Sequence, residues 1–145
     1  MATVNPYLLF DGNCEEAFLF YKSVFGGEFP YIGKFKEMPV EEGCDQVSAE
    51  DAERIMHVSL PIGNTVLMGS DSSTRFGKLP IGDNFSVSIN TESTEEADRI
   101  YNGLSAGGKI EMPLAKTFWG AYFGMFTDKF GTKWMVNFDE NQPAG

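Results

Sequence analysis

The chain is short of the residues that most often do chemistry. Among its 145 residues there is one histidine, His57, and there are two cysteines, Cys14 and Cys44. A single imidazole cannot build a histidine-rich metal centre. Two thiols far apart in sequence, with no CxxC spacing, give neither a redox pair nor a zinc knuckle. Cys14 falls at a helix start, where the dipole lowers a thiol pKa, but Glu15 and Glu16 beside it push the other way. Cys44 stands among Glu41, Glu42 and Asp45, which disfavour a thiolate, so both thiols are expected to be unreactive. Positive charge is scarce too: 11 Lys and Arg face 21 Asp and Glu, a formal net charge of −10. Nucleic-acid binding needs a basic footprint, so that partner is excluded, and an anionic membrane surface is excluded on the same ground. No run approaches 18 apolar residues, and Met1-Ala2-Thr3-Val4-Asn5-Pro6 lacks the basic and apolar regions of a signal peptide, so a cytoplasmic location is expected. Neither Ser86 nor Ser88 sits in a nucleophile motif of the GxSxG kind with a His/Asp partner, so nucleophilic catalysis is not expected of them.

What is present is a globular composition, 42% hydrophobic with 14% aromatic residues, in a length that makes one ordinary domain of residues 1–145. Within it a short pattern occurs twice. Glu15-Glu16-Ala17, Tyr21 and Gly26-Gly27 recur as Glu95-Glu96-Ala97, Tyr101 and Gly107-Gly108, offset by 80 residues at the first two landmarks and by 81 at the glycines. Such a spacing is too long for a solenoid and fits two copies of one module.

Each copy reads as β-α-β-β-β, the first over residues 4–71 and the second over 82–138. In the first, Val4–Phe10 is a strand, and Asn13 with Glu16 has capping-box spacing. Ala17, Phe20, Tyr21, Val24 and Phe25 form an apolar helical stripe that Gly26-Gly27 terminates. Strands follow at Phe29–Phe35, Ile55–Leu60 and Thr65–Met68, the last two joined by a hairpin turn at Pro61-Ile62-Gly63-Asn64. Lys36–Asp51 reads as an exposed loop and Ser70–Gly82 as the linker between modules. The second module repeats the plan with strands at Asn84–Asn90, Lys109–Met112, Ala121–Phe126 and Lys133–Phe138. Its helix starts at the Ser93–Glu96 capping box and carries the stripe Ala97, Ile100, Tyr101 and Leu104. The expected fold is α+β: two modules whose curved sheets, side by side, enclose a cleft lined by the faces opposite the helices.

Strand alternation selects candidate site residues. His57 and Ser59 alternate with Met56, Val58 and Leu60, which puts His57 on the face away from the core, where an imidazole can act as base or hydrogen-bond donor. Asn84, Ser86 and Ser88 alternate with Phe85, Val87 and Ile89 and are the polar candidates for holding a ligand. Trp119 and Tyr122, with Phe118, are aromatic candidates for a lid or an interface, while Trp134 shares a face with the core. Met68 and Met135 suit an adaptable apolar pocket.

The set Asn5-Pro6-Tyr7-Leu8, Phe20-Tyr21, His57, Leu67-Met68-Gly69-Ser70-Asp71, Phe118-Trp119-Gly120 and Asp128-x-Phe-Gly-x-x-Trp134 resembles the PhnB-like branch of the vicinal oxygen chelate superfamily. That superfamily holds glyoxalase I, bleomycin- and fosfomycin-resistance proteins and extradiol dioxygenases. The branch is also called 3-demethylubiquinone 3-methyltransferase-like. The resemblance spans about Asn5 to Phe138 and implies paired βαβββ modules, a cleft and a homodimer. It also implies a divalent metal held by His, Gln or Glu on the first and last strands of each module. Carried over by register, those places fall on Pro6, Met68, Asn84 and Met135, none of which suits a hard or borderline cation. No metal and no cofactor are therefore expected; if His57 did bind a metal, Asp71 or Asp83 would have to join it. The branch's methyltransferase label finds no GxGxxG after the first strand. Two functions remain: a protein that binds a small organic ligand, such as a cation, without metal, or an isomerase, lyase or dioxygenase that uses His57 with an unusual metal site.

Overall fold

The structure, a computed structural model, describes residues 4–37, 49–73, 82 and 85–139. The chain divides into two compact units, Met1–Pro80 and Ile81–Gly145. The first contains β1 (Tyr7–Phe10), α1 (Cys14–Phe25), β2 (Tyr31–Lys34), the short helix α2 (Ala49–Ala52), β3 (Ile55–Ile62) and β4 (Thr65–Asp71). The second contains β5 (Val87–Asn90), α3 (Thr94–Ser105), β6 (Lys109–Lys116), β7 (Tyr122–Thr127) and β8 (Lys133–Phe138).

The two sheets share one topology. Their strand orders are β1-β4-β3-β2 and β5-β8-β7-β6. In each, the first strand runs parallel to the last, and the remaining pairs are antiparallel. The repeat carries over to the elements: β1 and β5 each have 4 residues, and α1 and α3 each have 12. Paired βαβββ modules are therefore the architecture.

In the first unit Leu8, Phe10, Val58, Leu60 and Leu67 alternate inward and are buried, and α1 covers them. The helix face differs from the expected stripe. Cys14, Ala17, Phe18 and Tyr21 are the buried residues, while Phe20, Val24 and Phe25 are only half-buried. Both sets obey helical spacing, and the sheet chooses between them through Gly69. A Cβ there would stand 2.6 Å from Cε1 of Phe18 and 2.9 Å from the Leu8 carbonyl oxygen, so the glycine is the seat for the Phe18 ring. Phe18 also meets Phe10 and Tyr21 edge-on, with centroids 6.1 and 5.5 Å apart. The second unit uses the same device. Tyr101 lies over Gly124, where a Cβ would stand 2.7 Å from its ring, and packs edge-on against Phe126 at 5.1 Å.

The helix starts diverge. Ser93 accepts from the Glu96 N–H at 3.1 Å, as a capping box requires, although Glu96 reaches back to the Glu92 N–H rather than to Ser93. Asn13 makes no side-chain cap. Its place is taken by Asp71, whose Oδ1 accepts the N–H groups of Gly12 and Cys14, both at 2.9 Å, while Oδ2 accepts that of Ile55 at 2.9 Å. Strand β4 thus continues through Ser70 and Asp71, which sequence patterning assigns to a linker. The remainder of that expected linker, 74–81, lies outside the described residues, as does 38–48 of the expected loop; the end of that loop forms α2, with Asp51 buried.

Candidate functional site

On the outer face of the first sheet, away from α1, strand registers line up Tyr7, Met68, Ser59 and Tyr31 in one row. The adjacent row holds Leu9, Ser70, His57 and Gly33, with Leu9 paired to Ser70 and Gly33 to His57. Small residues thus flank His57 on both sides, and two tyrosines from the outer strands lean into the space. The Tyr7 hydroxyl lies 3.3 Å from Nδ1 of His57, their rings 5.7 Å apart and tilted by 32°. The Tyr31 ring stands 5.8 Å from the imidazole at 40°. It lies across Gly33, whose missing Cβ would come within 2.5 Å of the Tyr31 hydroxyl oxygen. Tyr7 and Tyr31 remain 45% and 47% exposed. The described residues of this face, including Val66 and Pro61, carry no carboxylate, lysine or arginine.

On the second sheet, the equivalent row is Ser88, Met135, Met125 and Met112, followed by Asn90, Asn137, Phe123 and Ala115. Asn137 donates to Asn90 at 3.3 Å. Trp119 occupies the turn between β6 and β7, which Thr117 closes by bonding Ala121 through its backbone N–H and its hydroxyl, at 2.8 and 2.9 Å. Its indole reaches the sheet by packing against Phe123 at 6.0 Å, while Phe118 at the same turn is almost fully exposed.

The candidates chosen from sequence therefore fall in different places. His57, Ser59 and Met68 share the first outer face, and Ser88 and Met135 the second. Ser86 precedes β5 and is half-buried, and Asn84 lies outside the described residues. Tyr122 does not join them. It pairs with Phe138 on the helix-covered side, and its hydroxyl donates to Asp98 of α3 at 2.5 Å, a bond that raises its pKa ahead of any burial. Trp134 is buried core, with Nε1 donating to Asp128 at 2.8 Å. Pro6 does not face Met68 but accepts its N–H through the backbone, which leaves Tyr7 as the side chain at that position. Tyr7 and Tyr31 are what patterning missed. Both sit in alternating strands opposite buried residues, so the signal was present, but only the register shows that they converge on His57.

A family model described as 3-demethylubiquinone-9 3-methyltransferase matches residues 2–137. The chain belongs to this family. YjdN of Escherichia coli is 36% identical over 97% of this chain and 98% of that protein. Protein PA1353 of Pseudomonas aeruginosa is 40% identical with a TM-score of 0.84, covering 96% of this chain and 98% of that one. A PhnB protein of Bacillus cereus is 25% identical with a TM-score of 0.73, covering 94% and 99%. For fold alone, the fosfomycin resistance protein FosX of Listeria monocytogenes, complexed with Mn(II) and sulfate, aligns at 12% identity and a TM-score of 0.61 over 94% and 90%. The paired βαβββ fold is thus shared with that fosfomycin resistance protein.

Two groups implied by these relatives can be tested on the residues. The ligands of a divalent cation would come from the outer face of each unit's first and last strands, where the first unit offers Tyr7 and Met68 and the second Ser88 and Met135. No cluster of three or more His, Cys, Asp or Glu exists among the described residues. Asp71, the carboxylate nearest in sequence to the Met68 position, points into the core and holds three backbone N–H groups. Among the described residues the donor set does not fit such a cation, and Asp83, the other carboxylate considered for it, lies outside them. The family description also names methyl transfer, whose usual donor is S-adenosylmethionine. A doubly wound site for it needs a free helix N-terminus after the first strand. Here Gly12 and Cys14 already donate to Asp71, so those residues do not fit either.

Proposed function

We propose that this PhnB-like protein binds a small organic molecule on the outer face of its first sheet, without metal, as a cytoplasmic homodimer. One observation carries the reading: the chain's single histidine stands on a partly exposed sheet face whose other described residues are uncharged, between two tyrosines that lean towards it. Exposed aromatic side chains grouped around one polar group supply the apolar contact and the orienting hydrogen bond that a small-ligand site uses. The apolar surface supplies affinity and the imidazole supplies orientation. Met68, Ser59 and Ser70 complete the surface, and Met135, Ser88 and Trp119 make the second outer face a further candidate surface.

The test is a fragment screen on the intact chain, read by the NMR signals of the one imidazole. Fragments that shift His57 saturably, and lose that effect in a Tyr7→Ala, Tyr31→Ala double variant, support the site. A screen in which binders leave His57 unmoved would place binding elsewhere. Metal content is the companion measurement: protein purified without chelator should hold only substoichiometric metal. Stoichiometric nickel, zinc or iron that survives dialysis and is lost on His57→Ala would overturn the metal-free reading. The Tyr7–His57 hydrogen bond also suits a second function, an isomerase or lyase in which His57 takes a proton from the bound ligand. For that enzyme, His57→Gln abolishes turnover while ligand affinity survives.

A further inference from the structure

Resting on that site, we infer that its ligand is a planar aromatic compound bearing a hydrogen-bond-accepting oxygen, a carboxylate or a ring carbonyl. The first step is the tautomer. Between a phenol and a neutral imidazole, the phenol is the better donor and the unprotonated ring nitrogen the better acceptor. The Tyr7 hydroxyl, 3.3 Å from Nδ1, therefore donates to it, and the ring proton is fixed on Nε2. His57 then carries its N–H on Nε2, and a ligand atom that meets this N–H must accept.

The second step is shape. Gly33 lets the Tyr31 ring lie down across the strand instead of standing off it, and Tyr7 leans in over β4. The two tyrosine rings flank the imidazole at 5.7 and 5.8 Å, their planes tilted from it by 32° and 40°. A flat ring can meet these three neighbouring rings by offset or edge contacts, whereas a puckered saturated ring has no π-face to offer them. The third step is charge. Tyrosine faces attract cations as well as aromatic edges, so an aromatic cation is the natural competitor. A cation would meet the N–H of His57 as a like partner and find no carboxylate on this face among the described residues. An acceptor oxygen meets its complement.

The test uses the full-length chain labelled with 15N, in which one histidine gives one imidazole spectrum, and three probes: 2-naphthoate, cyclohexanecarboxylate and 2-naphthylmethylamine. In the free protein the spectrum should show Nδ1 unprotonated and Nε2 carrying the proton. Naphthoate should shift both nitrogens saturably, and the other two probes should bind more weakly by about tenfold. Tyr7→Phe should release the tautomer and weaken naphthoate binding roughly fivefold to tenfold. Tyr31→Leu should weaken binding while leaving the tautomer as it was. Both side chains are half-exposed, so the variants test the site rather than folding. If the amine or the saturated acid moves His57 as strongly as naphthoate, the ligand class is wrong and the site stands. If a broad fragment set leaves His57 unmoved, the site itself is wrong.

Discussion

Two buried carboxylates do more for this fold than any exposed ion pair. Asp71 joins the start of α1 to the start of β3 by accepting three backbone N–H groups. Asp128 organises the turn before β8, accepting from the N–H groups of Phe130 and Thr132 at 2.8 and 3.0 Å and from the Trp134 indole. An acceptor removed from a buried donor costs roughly 1–3 kcal/mol for each donor stranded. Asp71→Ala should therefore destabilise the chain by about 3 kcal/mol or more in urea unfolding, and a loss under about 1 kcal/mol would show that water replaces the carboxylate. Cys14, fully buried beside Asp71, makes a second residue-scale case. Burial first, then Asp71 and Glu15, push its thiol far above the ordinary value. The sign is that of a group whose folded pKa is raised: its contribution is fully present below the unfolded thiol value of about 8.5 and is lost as pH rises beyond it. Stability should thus fall above that pH, and Cys14→Ala should flatten the fall. Alkylation of Cys14 should occur only on unfolding.

The two copies of the repeated module use matching residues for different ends. The helix-ending glycine pairs show this. Gly26, Gly27 and Gly107 have φ of 80°, 84° and 78°, a region that favours glycine. Gly108 does not; it is glycine because a Cβ there would run into the Thr127 carbonyl oxygen. Gly27→Ala should cost about 1 kcal/mol of backbone strain, and Gly108→Ala more, about 1–3 kcal/mol, since a strand must move. Thermal unfolding of the two variants separates the causes. The face of α1 is tested in the same way. Phe18→Ala should cost about 3–5 kcal/mol and Phe20→Ala well under half of that, because only Phe18 fills a seat in the sheet. Equal losses would mean that the expected stripe is also packed.

For the whole molecule, the expectation is a homodimer. Sedimentation at tens of micromolar should give twice the chain's 16.0 kDa, and a species of single-chain mass alone would defeat the proposal. The outer faces leave Tyr7, Leu9, Tyr31 and Met112 exposed in the single chain, with Trp119 at the turn beside them, which is apolar surface that an interface or a ligand can cover.

The amino-acid order alone determined the doubled βαβββ plan, because hydrophobic period, capping residues and glycine stops are local signals that repeat with their spacing intact. It also determined that His57 stands on the face away from the helix, since strand alternation allows only two faces. Boundaries slipped where a strand's end depends on a distant partner: β4 runs on to Asp71 because α1 and β3 supply the N–H groups that hold it there. The same dependence explains why Asn13 is no cap and why Asp71 is no metal ligand. Periodicity could not choose between the Phe18 and Phe20 stripes, both of which satisfy helical spacing; the empty place above Gly69 chose. Nor could it bring Tyr7 and Tyr31 to His57, because they lie on three strands far apart in sequence. Only the register of β1, β4, β3 and β2 across one sheet sets which side chains share a row, and that register is a property of paired strands, not of any one of them.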